Sequence, residues 1–202
     1  MEQRTAEWFA ARCGKVTASR VADVVAKTRT GYAASRANYM AELVCERLTG
    51  KPTEGFSNAA MQWGTDQEPF ARDAYSARTG ELVTEVGFVA HPRIAMAGCS
   101  PDGIVSTGCV EIKCPNTANH IEYLLSRDPP QKYFYQMQWQ MACTGSDWCD
   151  WVSYDPRMPE NLQLLIVRIP RDDDAIRMLE TEVESFLAEL NDKVTKLKEL
   201  NV

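Results

Sequence analysis

The sequence predicts an α/β fold, a central mixed β-sheet flanked by helices, and three observations carry that expectation. Helical patterns fill the first third, and short apolar runs bounded by turn residues follow; one long helix then interrupts those runs. That order describes a sheet with helices packed on it. The run Cys109-Val110-Glu111-Ile112-Lys113-Cys114 reads as a buried strand ended by Pro115. From Asp173 to about Leu200, apolar residues such as Ile176, Leu179, Val183 and Phe186 recur at spacings of three and four. That is the stripe of an amphipathic closing helix packed on its own subunit, with a face for a partner helix as the alternative.

The remaining elements follow in order. Thr5 and Thr17 are placed to cap short helices, the second over Ala18–Ala26. Arg29-Thr30-Gly31 breaks that pattern. A longer helix spans Ser35 to Leu48 and stops at Gly50, and another spans Asn58 to Arg78 and stops at Gly80. Within the latter, Pro69 marks a kink or a first turn. Strands are expected at Leu82–Val89, Ala95–Gly98, Gly103–Val105 and Val110–Cys114, with a hairpin turn at Thr107-Gly108. A helix over Lys132–Cys143 precedes strands at Trp148–Tyr154 and Leu162–Ile169. The 202 residues suit one domain, 1–202, and no low-complexity linker divides them.

Composition narrows the function. No apolar run reaches the ~20 residues of a membrane helix, and the N-terminus lacks the apolar core of a signal peptide. Seven cysteines without a C-x-x-C pair read as reduced thiols of the cytoplasm and argue against a zinc or iron–sulfur site. The net charge of −6 argues against a nonspecific nucleic-acid binder. Residues 1–36 nevertheless carry seven Lys and Arg against Glu2, Glu7 and Asp23, whereas acids gather from Asp172 onward. A basic working face with an acidic back and two unrelated solvated helices both fit that distribution.

The chemistry concentrates at Ser100-Pro101-Asp102-Gly103 and Glu111-Ile112-Lys113. Side chains alternate along a strand, so Glu111 and Lys113 share a face that Ile112 does not. A hairpin brings Asp102 beside them. Two carboxylates and an ammonium at one spot suit metal-assisted phosphodiester hydrolysis: the carboxylates hold a hard cation and the lysine orients water or stabilises developing charge. This arrangement resembles the PD-(D/E)xK nuclease pattern. His91 and His120 lie outside every motif, which leaves no histidine base.

Further segments extend the resemblance over nearly the whole chain. They include Glu7-Trp8, Arg12-x-Gly14-x-Val16-Thr17-Ala18-Ser19, Arg29-x-Gly31, Trp63-Gly64-x-x-x-Glu68, Gln136-Met137-Gln138 and Tyr154-Asp155-Pro156-Arg157-Met158. With them the chain resembles the YqaJ-like viral recombinases, the family of the phage lambda exonuclease, which have a PD-(D/E)xK, restriction-endonuclease-like core. The resemblance implies Mg²⁺, replaceable by Mn²⁺, as two ions held by Asp102, Glu111, the Ile112 carbonyl and Glu68. Lys113 matches the catalytic lysine, and Gln138 matches a glutamine near the scissile phosphate. Arg12 matches the arginine that holds a 5′-terminal phosphate, with Ser19 and Ser100 beside it. Arg29 sits in a loop that reaches DNA, and Met61 takes the place of a leucine wedge that parts the terminal base pairs.

For function, the resemblance implies a processive 5′→3′ exonuclease on double-stranded DNA ends. It would release mononucleotides as a homotrimeric ring and hand the 3′ overhang to a single-strand annealing protein. An endonuclease or resolvase with the same core, and an inactive DNA-end-binding scaffold, are the alternatives. The matched 5′-phosphate arginine and wedge weigh against the first, and the intact Asp102, Glu111 and Lys113 against the second.

Overall fold

A computed structural model describes residues 1–53 and 58–200. The chain opens with α1 (Ala6–Arg12), whose expected cap Thr5 accepts a hydrogen bond at Oγ1 from the Trp8 amide at 3.3 Å. β1 (Val16–Thr17) follows, then a 3₁₀ turn over Ala18–Arg20 and α2 (Val21–Val25). The helix expected over Ala18–Ala26 is thus two pieces, and the Thr17 side chain caps neither. β2 (Lys27–Thr28) and β3 (Gly31–Tyr32) form a hairpin around Arg29-Thr30. α3 (Ala34–Thr49) ends at Gly50, where φ is +67°, a left-handed conformation that glycine reaches without strain. α4 (Ala59–Thr79) starts at Asn58, whose side chain accepts from the Met61 amide, and contains Pro69 in its interior.

The expected strand over Leu82–Val89 is not formed along its length. Only β4 (Val89–Ala90) is a strand there, with an isolated bridge between Thr84 and Ile104. The reason lies in the N-terminal arm, where the Gln3 side chain donates to the Val86 carbonyl at 2.8 Å. Met1 also packs so closely on Gly87 that a Cβ there would meet its carbonyl oxygen at 2.4 Å. The arm therefore packs against this segment through a side chain, without strand pairing. β5 (Ala97–Cys99) pairs in parallel with β1 and antiparallel with β4.

β6 (Gly103–Val105) and β7 (Gly108–Lys113) form the expected hairpin. α5 (Thr117–Ser126), which the periodicity did not suggest, starts at Asn116. α6 (Gln131–Thr144), β8 (Trp148–Tyr154), β9 (Leu164–Pro170) and α7 (Asp173–Lys198) complete the chain. The main sheet runs β6-β7-β8-β9, with β7 and β8 parallel and the outer pairs antiparallel.

Alternation along β7 and β8 builds two cores. Val110, Ile112 and Val152 face Ala71 and Tyr75 of α4. Cys109, Cys149 and Trp151 face Met137 and Met141 of α6. The far side of α6, through Trp139 and Cys143, joins a third cluster with Val21 of α2, Leu43 of α3 and Leu179, Phe186 and Leu190 of α7. Helix α6 is therefore sandwiched, which explains why every residue from Gln136 to Cys143 is buried. A helix enclosed on all sides with three glutamines requires partners for their amides, since an unpaired buried polar group costs roughly 1–3 kcal/mol.

Candidate active site

The β6–β7 hairpin brings Asp102, Glu111 and Lys113 together, as alternation and the turn require. Asp102 sits at the mouth of β6, where its amide donates to the Val110 carbonyl and its Oδ2 accepts from the Ile112 amide at 2.6 Å. Glu111 is 1% exposed, and side-chain donors surround its carboxylate. Gln136 Nε2 donates to its Oε1 at 2.6 Å and Gln140 Nε2 to its Oε2 at 2.5 Å. Lys113 Nζ also donates to Oε1. The Lys113 ammonium is held above its ordinary pKa: burial pulls it down, but the charges of Glu111 and Asp102 outweigh that. It therefore stays a cation at any working pH.

Gln138 is a correction. It is fully buried, its Nε2 donates to the Pro170 carbonyl at 3.0 Å, and its Oε1 accepts from the Asp172 amide. It joins the end of β9 to the start of α7 and does not reach the carboxylates. The helical period decides this: positions i and i+4 share a face, and i+2 points away. Gln136 and Gln140 are the glutamines of the site, and that same spacing is the sequence signal that identifies them.

A cleft of about 580 Å³ opens over Asp102, Ile112 and Lys113. Its walls include Glu68 and Met61 from α4, Ser19, and Lys132 and Tyr133 at the start of α6. Met61 is 56% exposed on the first turn of α4, a position open to a ligand rather than to the core. Cys114 also lines the cleft, and burial together with the charges of Glu68 and Asp102 pushes its thiol up to about 12. It is therefore a neutral wall, not a nucleophile.

A second polar cluster lies beside this cleft. Arg12 Nη1 donates to Ser100 Oγ at 3.2 Å, and Trp8 Nε1 donates to the same oxygen at 2.9 Å. The Arg12 guanidinium lies 4.1 Å from the centre of the Trp8 ring. Burial lowers the Arg12 pKa from its ordinary value, though a guanidinium remains charged. Trp8 had no role assigned from the sequence beyond its place in a motif, and here it orients the Arg12–Ser100 pair. Ser19 Oγ lies 3.4 Å from Thr17 Oγ1 on the cleft wall. Arg29 is exposed at the tip of the β2–β3 hairpin and is not brought into the cleft. That hairpin is tied to α7 through Lys27 and Tyr32, both donating to Glu182.

The donor set fits a hard divalent cation. Among the described residues, no three His, Cys, Asp or Glu side chains converge to form a site by themselves. The oxygens available are those of Asp102, Glu111 and the Ile112 carbonyl, with Glu68 on the facing helix. Burial, and then the negative charges of Glu111 and Glu68, hold the Asp102 carboxyl well above the usual carboxylate range. Mutually repelling buried carboxylates are what a bound cation relieves.

A family model described as the YqaJ-like viral recombinase domain matches residues 7–147. The chain belongs to that family. Among solved structures, LHK-Exo in complex with dAMP is 59% identical, with a TM-score of 0.91 and 96% of each chain covered. The alkaline exonuclease LHK-Exo from Laribacter hongkongensis is 58% identical over the same shares, again with a TM-score of 0.91. A phage-related exonuclease from Haemophilus somnus 129PT is similar in fold, with 15% identity, a TM-score of 0.75, and 91% of this chain and 96% of that one covered. No curated protein gives a significant match. The fold of this YqaJ-family chain is the PD-(D/E)xK fold, and its family role is that of a nuclease in recombination.

Proposed function

We propose that the chain is a Mg²⁺-dependent, processive 5′→3′ exonuclease acting on double-stranded DNA ends. It releases 5′-mononucleotides and leaves a 3′ overhang for a single-strand annealing protein. The observation that carries this reading is the joint placement of the Asp102–Glu111–Lys113 cluster and the Arg12–Ser100 pair, since Ser100 is two residues from Asp102. A phosphate-binding arginine beside a hydrolytic centre suits a substrate that presents a terminal phosphate next to a bond to be cut. A complex of the 59%-identical LHK-Exo with dAMP, a mononucleotide, supports the product class.

In this reading Asp102, Glu111, the Ile112 carbonyl and Glu68 hold Mg²⁺, which supplies charge neutralisation at the phosphate and a more acidic water. Lys113, fixed against Glu111, places a permanent positive charge where the pentacovalent phosphate gains negative charge. Gln136 and Gln140 fix the Glu111 carboxylate in one orientation, so no reorganisation is required as charge develops. Arg12 and Ser100 hold the 5′-phosphate, Ser19 adds a hydroxyl on the cleft wall, Met61 presses on the terminal base pair, and Arg29 reaches the duplex beyond. Residues 1–202 act as one nuclease domain, in the cytoplasm of a bacterial host. Among the described residues no helix is long and apolar enough to cross a membrane.

Linear duplex with 5′-phosphate or 5′-hydroxyl ends, compared with closed circular duplex, tests the proposal in Mg²⁺ and in EDTA. The expected result is mononucleotide release from linear DNA in Mg²⁺ only, faster from 5′-phosphate ends. Cutting of circular DNA would favour an endonuclease, and absence of any Mg²⁺-dependent product would favour an end-binding scaffold.

A further inference from the structure

The Glu68 carboxylate is shared by two arginines of unlike character. Arg72 Nη2 donates to Oε1 at 2.9 Å, while its Nη1 pairs with Glu85 at 2.8 Å. The Arg72 side chain is 13% exposed, so it is a buried, doubly anchored strut. Arg4 Nη2 donates to the other oxygen, Oε2, at 2.5 Å. The Arg4 side chain is 47% exposed, lines the cleft with Asp102 and Lys113, and pairs with Glu68 alone among the described residues.

The backbone around Arg4 is held for this contact. Arg4 has φ of +66°, a left-handed conformation that a non-glycine residue adopts only when its surroundings impose it. On one side the Gln3 amide donates to the carbonyls of Val86 and Pro101, at 2.8 and 2.9 Å. On the other side Thr5 caps α1. Pro101 immediately precedes Asp102, so the arm is registered against the catalytic turn itself. The main chain of Arg4 is held on both sides by these contacts, while its long side chain is 47% exposed.

We propose that Arg4 is an exchangeable counter-ion: it occupies Glu68 in the cation-free protein and passes to a DNA phosphate when a divalent cation takes Glu68. The proposal rests on the reading of the cleft as a metal-dependent DNA site. Two cations cannot share Glu68 Oε2, because at contact distance their repulsion is large in a partly buried cleft. A guanidinium displaced from a carboxylate keeps its planar donor fork, and phosphate oxygens match that fork as well as a carboxylate does. Arg4 would thus pair the Glu68 oxygen that Arg72 leaves open before loading, and add a phosphate contact after it.

The test uses Arg4→Gln, with Arg4→Lys as the conservative variant and thermal melting to establish that both fold. Calorimetric titration with Mn²⁺ in the absence of DNA should show tighter binding to Arg4→Gln than to the wild type. That gain should vanish when Glu68→Gln is also present. Binding of a 5′-phosphorylated blunt duplex in Ca²⁺, followed by fluorescence anisotropy, should be weaker for Arg4→Gln, with a salt slope smaller by about 1. Arg4→Lys should recover part of that loss. Unchanged or weaker Mn²⁺ binding by Arg4→Gln would overturn the competition at Glu68. Tighter Mn²⁺ binding with unchanged duplex affinity would overturn the transfer to phosphate. The Mn²⁺ titration contains no DNA, so it reads Arg4 even where the wild type fails to digest duplex and the exonuclease proposal itself falls.

Discussion

Glu111 is enclosed by three side-chain donors, two of them glutamines of one helix face, and this sets what single substitutions should do. Asp102→Ala, Glu111→Ala and Lys113→Ala each remove a charge at the site, and activity should fall by ~10²–10³-fold or more in each. Near-wild-type digestion by any of them would place the chemistry elsewhere. Asp102→Asn should also stabilise the cation-free protein. The folded pKa of Asp102 is raised by burial and by Glu111, so the native state favours its protonated form. Its contribution to stability is present at low pH and is lost as pH rises past the ordinary carboxylate value. In EDTA at neutral pH the variant should melt higher than the wild type, while Mg²⁺ should stabilise only the wild type. Among the glutamines, Gln136→Ala should lower turnover. Gln138→Ala should instead lower the melting temperature by about 2–4 °C per kcal/mol lost, with turnover of the folded enzyme kept. Arg12→Ala should erase most of the preference for 5′-phosphate ends. A preference left intact would move that pocket to other basic residues.

Individual elements were legible where local chemistry decides them. Gly50 and Gly80 end their helices, and β8 spans Trp148–Tyr154, the apolar run read from the sequence. Leu82–Val89 carries equally strand-like residues, yet the N-terminal arm covers it, a long-range contact that no local pattern contains. The segment after β8 offers an element-scale prediction. Asp155 is buried and accepts from Thr117 Oγ1 at 2.7 Å and from Arg157 Nε at 2.7 Å, tying β8 to the start of α5. Burial alone would raise its pKa; the bonds from Arg157 and Thr117 overcome that and hold it at about 2, below the ordinary 3.8. A lowered folded pKa contributes stability above the unfolded value and loses it as pH falls through the folded one. The contribution should therefore be complete above about pH 5 and fade toward the Asp155 pKa of about 2. Denaturant melts of wild type and Asp155→Asn across that range should converge at the acid end. A constant difference would show that the bonds, not the charge, matter.

At the scale of the whole molecule, α7 directs its apolar stripe into the chain's own core, with Leu179, Phe186 and Leu190 fully buried. The part of the stripe from Ile176 to Leu190 is therefore not free for a partner helix, whereas Leu197 near its end is 43% exposed. The family resemblance implies a homotrimeric ring, and a closed ring would account for the proposed processivity because threaded DNA cannot diffuse away. Light scattering at micromolar protein should give a trimer, and a monomer would remove this account of processivity. The basic N-terminal third is only partly free for DNA. Arg20 pairs with Asp23 and Glu42, Lys27 with Glu182 and Arg36 with Glu189, so those cations are largely neutralised within the chain. Arg12 lacks such a carboxylate partner among the described residues and hydrogen-bonds a serine instead. Summed charge by segment could not separate the two kinds.

The sequence by itself determined the strand of the candidate site, the placement of Glu111 and Lys113 on one face, and the turn that presents Asp102. Alternation and turn chemistry act over a few residues, so these features are written locally. Only the tertiary structure decided which glutamines reach Glu111, that Trp8 orients Arg12 and Ser100, and that Arg4 holds Glu68. Apart from the step from Trp8 to Arg12 within α1, those contacts join segments from 25 to 92 residues apart. The i, i+4 spacing groups Gln136 with Gln140 on one face, but burial and hydrogen-bond demand at the meeting point decide that this face of the helix meets Glu111.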